Sequence, residues 1–555
     1  MIKKSLSSRI ENIYSPICSY MKKLYAEKYF SILVIICICG FVGFVCLFNE
    51  STQSFFAHDE GLYARRAKLI LDTGDWFAPF SKAHHKTIGS YWLIALSMKL
   101  FGLGEYSARI PSALFSVLSS IVVYKIGLEI SNKRSAFISA LILPSMPLWF
   151  QYSHYASPDM AFVFLNLFAI YMILRASSEN NRQSNHQFFY WFLTGISFSL
   201  AFLIRSFLAL LPIFALLPFI CLSLRQQGRK KVYFLLGGMI IGFIPVIVSI
   251  FYAYNAYGSE AFLELFDFAR RKSMGGNLFK GLFYYPIILI ILSYPSGLIS
   301  IFGFIRVNQY KNLKLRYLLS IFPLVILFAL MVASTALSHY ALMLIPWIAI
   351  ASGIAIDSLI SSELLKSYQF KKLCAYIFLL IGLSLMVILL FKITGLVSID
   401  VLDKPIIISS FFVVSLVNIS AGLVGIRGLN NHRNFSISIG LMVITQTILL
   451  TILYGIGILG NPNQEIKTFV REPFVNEILR SNTVYLIGVN RNTKVRTLME
   501  FYLPNYQDYQ KSLDQVKGNS YFMVSKDALL ELLKFKKYSI NKIAKYKEFF
   551  FIRVN

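Results

Sequence analysis

The sequence predicts an all-α polytopic membrane protein of about 11–13 transmembrane helices, followed by a small extramembrane α/β domain. Three observations carry this. The 555 residues are 56% hydrophobic and only 15% charged, with a mean hydropathy of +0.61; a soluble chain of that length needs more polar surface to cover its core. Apolar runs of about 20 residues recur between Phe30 and Gly460, each matching a ~30 Å hydrocarbon core at ~1.5 Å rise per residue. Residues 463–555 break with that composition and carry sixteen Lys/Arg against nine Asp/Glu.

The elements follow in order. Residues 1–29 read as a basic cytoplasmic tail. Thirteen apolar runs are candidate spans: 30–49, 109–128, 135–150, 158–175, 188–204, 206–224, 232–254, 281–304, 317–334, 340–358, 373–394, 405–425 and 434–459. They lack the alternation of a barrel, so internal hydrogen bonding in lipid requires helices. Within the membrane region 30–460, loop 50–108 is only half apolar, and its segments 60–73 and 89–101 read as amphipathic helices at the membrane surface. A second large loop spans 255–280 and holds Arg270, Arg271 and the Gly275-Gly276 pair. Asn461-Pro462-Asn463 ends the last run. Beyond it, β-rich runs at 483–489, 520–525 and 549–554 and helical patterns at 493–502 and 526–537 predict an α/β domain over 463–555.

A formal charge of +27 invites a nucleic-acid reading, but the placement of the charges excludes it. With the N-terminus inside, the even-numbered loops hold Lys133 and Arg134, Arg225 and Lys230, Lys311 and Arg316, Lys371 and Lys372, and Arg427 and Arg433. The short loops of the opposite face hold little beyond Arg205 and Lys404. This is the positive-inside asymmetry, and it predicts a cytoplasmic N-terminus with the two large loops and the α/β domain outside. The six cysteines lie in the tail or in apolar runs, which implies no disulfide framework. The first run has no small-residue cleavage site and is expected to be retained.

Ionisable groups near membrane depth are expensive and mark candidate sites. Asp59-Glu60, Lys86, Asp159, Arg205, Arg270-Arg271 and His339-Tyr340 all fall at the outer ends of the runs. Carboxylates there can orient or deprotonate a nucleophile, and Lys and Arg can neutralise a phosphate. A phosphate held at a membrane surface suggests a lipid-phosphate substrate, and with no nucleotide-binding motif the energy must come from that substrate.

Five stretches in order carry a resemblance. His58-Asp59-Glu60-Gly61-Leu62-Tyr63-Ala64 resembles a "DE-x-x-Y-A" loop start, and Thr73-Gly74-Asp75-Trp76-Phe77-Ala78-Pro79 resembles "G-D-W-x-x-P". Lys86 with Tyr91-Trp92-Leu93-Ile94-Ala95 resembles "E-K-P-P-x-x-Y-W-L-x-A". Phe101-Gly102 through Glu105, Ala108-Arg109 and Pro111-Ser112 resembles "F-G-x-x-E-x-x-A-R-x-P-S". Ser334-Thr335-Ala336-Leu337-Ser338-His339-Tyr340 resembles "S-T-K-L-P-H-Y". Together they resemble the GT-C fold glycosyltransferases of the protein O-mannosyltransferase and aminoarabinose lipid A transferase group. The chain also departs from that pattern. His85-Lys86-Thr87-Ile88 replaces "E-K-P-P", and Ala336 and Ser338 replace a Lys and a Pro, so the resemblance implies a divergent branch.

What the resemblance implies is inverting transfer of a sugar from a polyprenyl-phosphate donor to an unidentified acceptor at the periplasmic face of a bacterial inner membrane. The acceptor classes are lipid A, another glycolipid, a protein or a cell-envelope polymer. Asp59 takes the place of the catalytic base and Asp159 of the second acidic position, with Glu60 a further candidate acid. Lys86 matches the lysine on the lipid phosphate; Arg270, Arg205, Tyr340 and His339 are further candidate donor-binding residues. The simpler readings are a helix cap for Asp59-Glu60 and Asp159, and a snorkelling side chain for Lys86. No cofactor is required. His84 and His85 are candidate ligands for a divalent metal, although their spacing matches no recognised set. The rival class is a secondary transporter or a flippase for lipid-linked sugars, which usually shows inverted repeats and charges at the midplane.

Overall fold

The computed structural model describes residues 29–48, 53–177, 186–228, 230–273, 278–333, 336–361, 365–395, 405–429, 432–457, 459, 464–489, 493–509, 518–534, 539–547 and 549–555. Within these, the side chain of Asp59 is not described. The expected tail 1–29, except Tyr29, lies outside the described residues, as do Gly275-Gly276, Ser334-Thr335 and Asn461-Pro462-Asn463.

The chain is a multi-pass helical membrane protein. Nine described helices are long and apolar enough to cross a bilayer, fewer than the thirteen apolar runs, and the difference has local causes. Runs 188–204 and 206–224 join into one 41-residue helical stretch, His186–Gln226. It is not one straight helix: Ser206 at φ 53° and a 3-10 turn at Ser206–Ala209 interrupt it. Run 281–304 divides at Ser293–Pro295 into two helices bent by 107°; proline removes a backbone donor and breaks the ladder. Run 340–358 gives the shorter helix Ile345–Ser361. Run 135–150 is not one helix. Pro144 and Pro147 break it into Lys133–Ile142, a 3-10 turn and Pro147–Ser153.

Close backbone contacts set the packing. Helix His186–Arg205 lies against helix Lys231–Tyr257, and a Cβ on Gly195, Gly238 or Gly242 would collide with the facing backbone. Small residues at such crossings let helices approach where lipid offers no hydrophobic drive.

Two surface helices occupy loop 50–108, Leu62–Thr73 and Gly89–Phe101, at the positions that amphipathic spacing predicts. Ahead of them the chain makes a single π-helical turn at Ala57–Gly61, which carries Asp59. A buried ion pair pins this turn to the membrane bundle. Arg109, on helix Glu105–Ile130, presents a guanidinium fork to fully buried Glu60 at 2.8 and 3.0 Å. The remaining valences are filled: Glu60 accepts from the N–H groups of Phe56 and Ala156, each at 3.0 Å, and Arg109 donates to the carbonyls of Gln53 and Ser54.

After the membrane helices, five strands form one sheet: Val484–Ile487 (β1), Tyr506–Asp508 (β2), Ser520–Ser525 (β3), Ile540–Tyr546 (β4) and Phe549–Val554 (β5). The order is β2-β1-β3-β5-β4, with β1 parallel to β2 and β3, and β5 antiparallel to β3 and β4. Strands β1, β3 and β5 and helices Lys494–Tyr502 and Lys526–Lys534 fall where the sequence pattern puts them. Strands β2 and β4 are additional. The first has three residues, and the second is an edge strand whose exposed Asn541, Lys542 and Lys545 hide its β character. One apolar core joins this unit to the surface helices. Phe55, Ala64, Ala67, Ile70 and Tyr91 are buried with Phe469, Leu479, Leu498, Phe501 and Phe551.

The Glu60–Arg109 pair yields a prediction. In Arg109→Met the carboxylate stays buried without its cation, which costs about 3–5 kcal/mol. A fall of several degrees in the unfolding temperature of the detergent-purified protein is expected; an unchanged temperature would deny the pair its structural role.

Candidate functional site

A cavity of about 550 Å³ opens beneath the surface helices, between them and the membrane bundle. Among its polar groups, Lys86, Arg205, Asp159 and the His339–Tyr340 pair come from four separate elements.

Lys86 sits in the loop between the two surface helices. The next residue, Thr87, donates from Oγ1 to the Phe202 carbonyl at 3.2 Å, and Gly89 lies so close to Leu203 that a Cβ there would collide. These contacts seat the loop against the end of helix His186–Arg205, and so bring Lys86 beside Arg205. Arg205 is the last residue of that helix, where a cation meets the negative end of the dipole. The chain then turns through Ser206, a non-glycine residue at φ 53°. That left-handed conformation costs about 1 kcal/mol or more and clusters at functional sites. Asp159 opens helix Asp159–Ser177 directly after Pro158, an acid in the first turn. The two helix ends meet, and the Arg205 guanidinium is ion-paired to the Asp159 carboxylate with both side chains nearly enclosed. His339 and Tyr340 come from the 3-10 turn Ser338–Met343, with their rings 4.5 Å apart.

Two details fix the chemistry. The Lys86 ammonium donates to the Tyr63 hydroxyl at 2.8 Å and lies 4.8 Å from that ring. Desolvation pulls its pKa below the ordinary lysine value, and the Arg205 and Arg66 cations push the same way. The Arg205 Nε is enclosed by the protein and meets no hydrogen-bond acceptor among the described residues. Around these groups the walls are apolar, built by Phe207, Leu208, Leu211, Ala329, Leu330 and Ala333. The cavity therefore offers two cations at its polar end and hydrocarbon along its sides, which suits an anionic head group on an apolar tail.

The other sequence candidates fall as follows. Asp59 is in the Ala57–Gly61 turn, whose neighbours His58 and Tyr63 line the cavity; its side chain lies outside what is described. Glu60 is not a lining residue, and the partners described for it, the Arg109 fork and two backbone N–H groups, are those of a structural carboxylate. Arg270 is exposed on helix Glu260–Ser273, one residue past the lining residue Ala269. The His84 and His85 rings lie 4.3 Å apart, tilted by 32°, and His84 Nδ1 accepts from the Lys86 N–H. Desolvation holds His84 well below the usual histidine pKa. Among the described residues no three His, Cys, Asp or Glu side chains gather as a metal site. Tyr63 and Tyr152 line the cavity without having been singled out in the sequence. Tyr63 lay within the "DE-x-x-Y-A" stretch, which was its one available signal.

Residues 85–252 match the dolichyl-phosphate-mannose-protein mannosyltransferase family, a segment that takes in Lys86, Asp159 and Arg205 and begins after Asp59. Among curated proteins, the chain is 29% identical over 228 residues to an undecaprenyl phosphate-alpha-4-amino-4-deoxy-L-arabinose arabinosyl transferase of Pseudomonas paraeruginosa, covering 40% of each chain. It is 31% identical over 185 residues to the protein of that name in Pseudomonas aeruginosa UCBPP-PA14, covering 32% of this chain and 33% of that one. The matched segments thus span two fifths or less of the length of these relatives. Among solved structures, ArnT from Cupriavidus metallidurans bound to undecaprenyl phosphate superposes with a TM-score of 0.69 at 16% identity, over 94% of this chain and 97% of that one. Its apo state gives the same TM-score. The chain therefore has the fold of ArnT, the GT-C fold that the sequence resemblance implied, and its Lys86, Asp159 and Arg205 lie in the segment that matches the mannosyltransferase family.

Proposed function

We propose that this protein is a membrane glycosyltransferase that moves a sugar from a polyprenyl-phosphate donor to an acceptor hydroxyl or amine at the periplasmic face of the inner membrane, with inversion. The observation that carries this is the cavity itself, where Lys86 and the Arg205–Asp159 ion pair line a space with apolar walls. The names of the relatives and of the ArnT complex, each with undecaprenyl phosphate, support the donor class. The charge asymmetry of the loops supports a cytoplasmic N-terminus, with the cavity and the sheet unit outside.

In this reading Lys86 and Arg205 stabilise the charge that builds on the departing phosphate. Fixed cations in a water-poor site typically contribute ~10²–10³ in rate each. Asp159 holds the Arg205 guanidinium in position and keeps the pair charged. Asp59 receives the acceptor's proton as its oxygen or nitrogen attacks the anomeric carbon and the bond to the phosphate oxygen breaks. His339 and Tyr340 line the same cavity and bind the donor, and Arg270 meets anionic head groups at the rim. The acceptor is one of the classes named above, lipid A among them. The chemistry routes no step through a metal; a divalent ion held at His84 or His85 is the alternative.

Three measurements test this. With radiolabelled polyprenyl-phosphate sugars and a membrane extract, wild-type protein should move label to a new product. Asp59→Asn should insert normally and lose at least about 10²-fold in kcat; full activity in that variant would refute the role of Asp59. Chelation by EDTA should leave transfer within about twofold, and abolition with recovery on adding a divalent ion would establish the metal. The pH dependence of polyprenyl-phosphate binding should report Lys86. Its folded pKa is depressed, so the ammonium persists below that value and is lost above it. Affinity should therefore decline as the medium becomes alkaline, before the ordinary lysine range of about 10.4 is reached. Lys86→Arg should move the decline to higher pH, and an identical profile in that variant would exclude Lys86 as the responsible group.

A further inference from the structure

We infer that helix Lys494–Tyr502 of the C-terminal unit is a working part of the transfer site, because it sets the position of the Ala57–Gly61 turn that carries Asp59. This rests on the proposed role of Asp59.

The turn is gripped from two sides. On the membrane side stands the Glu60–Arg109 pair. On the other side the turn packs directly on helix Lys494–Tyr502. A Cβ on Gly61 would lie 3.2 Å from Leu498 Cδ2 and 3.4 Å from Thr497 Cγ2, so the two elements are in close contact there. Just upstream, Phe55 meets the Phe501 ring edge-on at 4.8 Å, and its N–H donates to the Tyr502 hydroxyl at 3.3 Å. That hydroxyl in turn donates to Glu105 at 2.9 Å.

The helix is itself fixed by the loop that it supports. Lys68, on the first surface helix and only 4% exposed, donates to the carbonyls of Phe501 at 3.0 Å and Leu503 at 2.8 Å, with Glu500 O at 3.5 Å. The last carbonyls of a helix have no partners within it, and a cation there satisfies them and meets the negative end of the dipole. Arg65 pairs with Glu500 on the same side, and buried Lys467 reaches Glu105 at 2.9 Å. Burying this many charged groups is expensive unless the geometry is kept, so the contact has one arrangement rather than a range. A base that must meet a nucleophile within a few tenths of an ångström benefits from such a splint, since about 1 Å of misplacement costs up to about 10²-fold. No group of this helix lines the cavity, and it acts through the turn. Tyr502 and Lys68 are therefore positioning residues.

The test uses full-length protein in nanodiscs, as wild type, Tyr502→Phe and Lys68→Met. Tyr502→Phe keeps the ring packing and removes only the hydroxyl, so it guards against wholesale unfolding. Backbone hydrogen exchange over residues 55–61 should rise about tenfold or more in both variants, while exchange in the membrane helices stays unchanged. Transfer should show kcat falling about 10–100-fold, with KM for the donor and binding of polyprenyl phosphate within about twofold of wild type. The inference is overturned if exchange at 55–61 does not rise. It is overturned equally if exchange rises and kcat is kept, which is a purely structural contact, or if phosphate binding falls in step with kcat. A wild-type protein that moves no sugar would defeat the transferase reading, and the exchange measurement would still decide whether the helix fixes the turn.

Discussion

The fork of Arg109 on Glu60 is the contact on which the loop face of the molecule depends. Each of these ions loses several kcal/mol of hydration on burial, and attraction repays that only when the hydrogen bonding around both is complete. Here it is complete, with two backbone N–H groups on the carboxylate and two backbone carbonyls on the guanidinium. The same bonds that satisfy the ions stitch residues 53–60 to helix Glu105–Ile130. Phe55 lies under the guanidinium at 5.4 Å, which adds a cation–π contact and excludes water. From this knot the chain runs into the surface helices, and the C-terminal unit rests on those helices.

The cavity inherits its character from where helices end. Asp159 and Arg205 are terminal residues of neighbouring helices, so each is stabilised by its own dipole as well as by the other. Their pairing holds the Arg205 guanidinium at the cavity wall. Lys86 arrives from the loop, held by Thr87 and Gly89 rather than by a helix. The polar groups thus concentrate at one end, while the apolar side chains of Leu211, Ala329, Leu330 and Ala333 wall the remainder. An amphipathic lipid phosphate matches this division without further reorganisation.

Much of this was legible in the residues. Hydropathy finds the membrane helices because lipid leaves helices few alternatives, and cations and acids at run ends mark the cavity because such groups are otherwise excluded there. Lys86, Asp159, Arg205, His339 and Tyr340, named from sequence, do line one space. The remainder was hidden for physical reasons. Glu60 and Asp59 are adjacent acids, and no local pattern tells which meets a cation 49 residues away. Tyr63 looked like one of 32 tyrosines. The bend at Ser293–Pro295 and the broken segment around Pro144 and Pro147 lie inside runs whose hydropathy is uninterrupted. Strand β4 was masked by its lysines. Most opaque was the docking of the last unit on the first loop, since it joins groups 397 and 433 residues apart.

That span has a consequence for biosynthesis. Lys68 meets Phe501 across 433 residues of chain. At about 5–20 residues per second, synthesis puts roughly 20–90 seconds between the two. During that interval the first loop is already outside the ribosome, with its anchoring cation and its apolar face uncovered. The loop reaches its final state only when the last segment has followed every membrane helix into place. The loop face is therefore the last part of the fold to be completed, because Lys68 has no Phe501 or Leu503 carbonyl to meet until the C-terminal unit has been made.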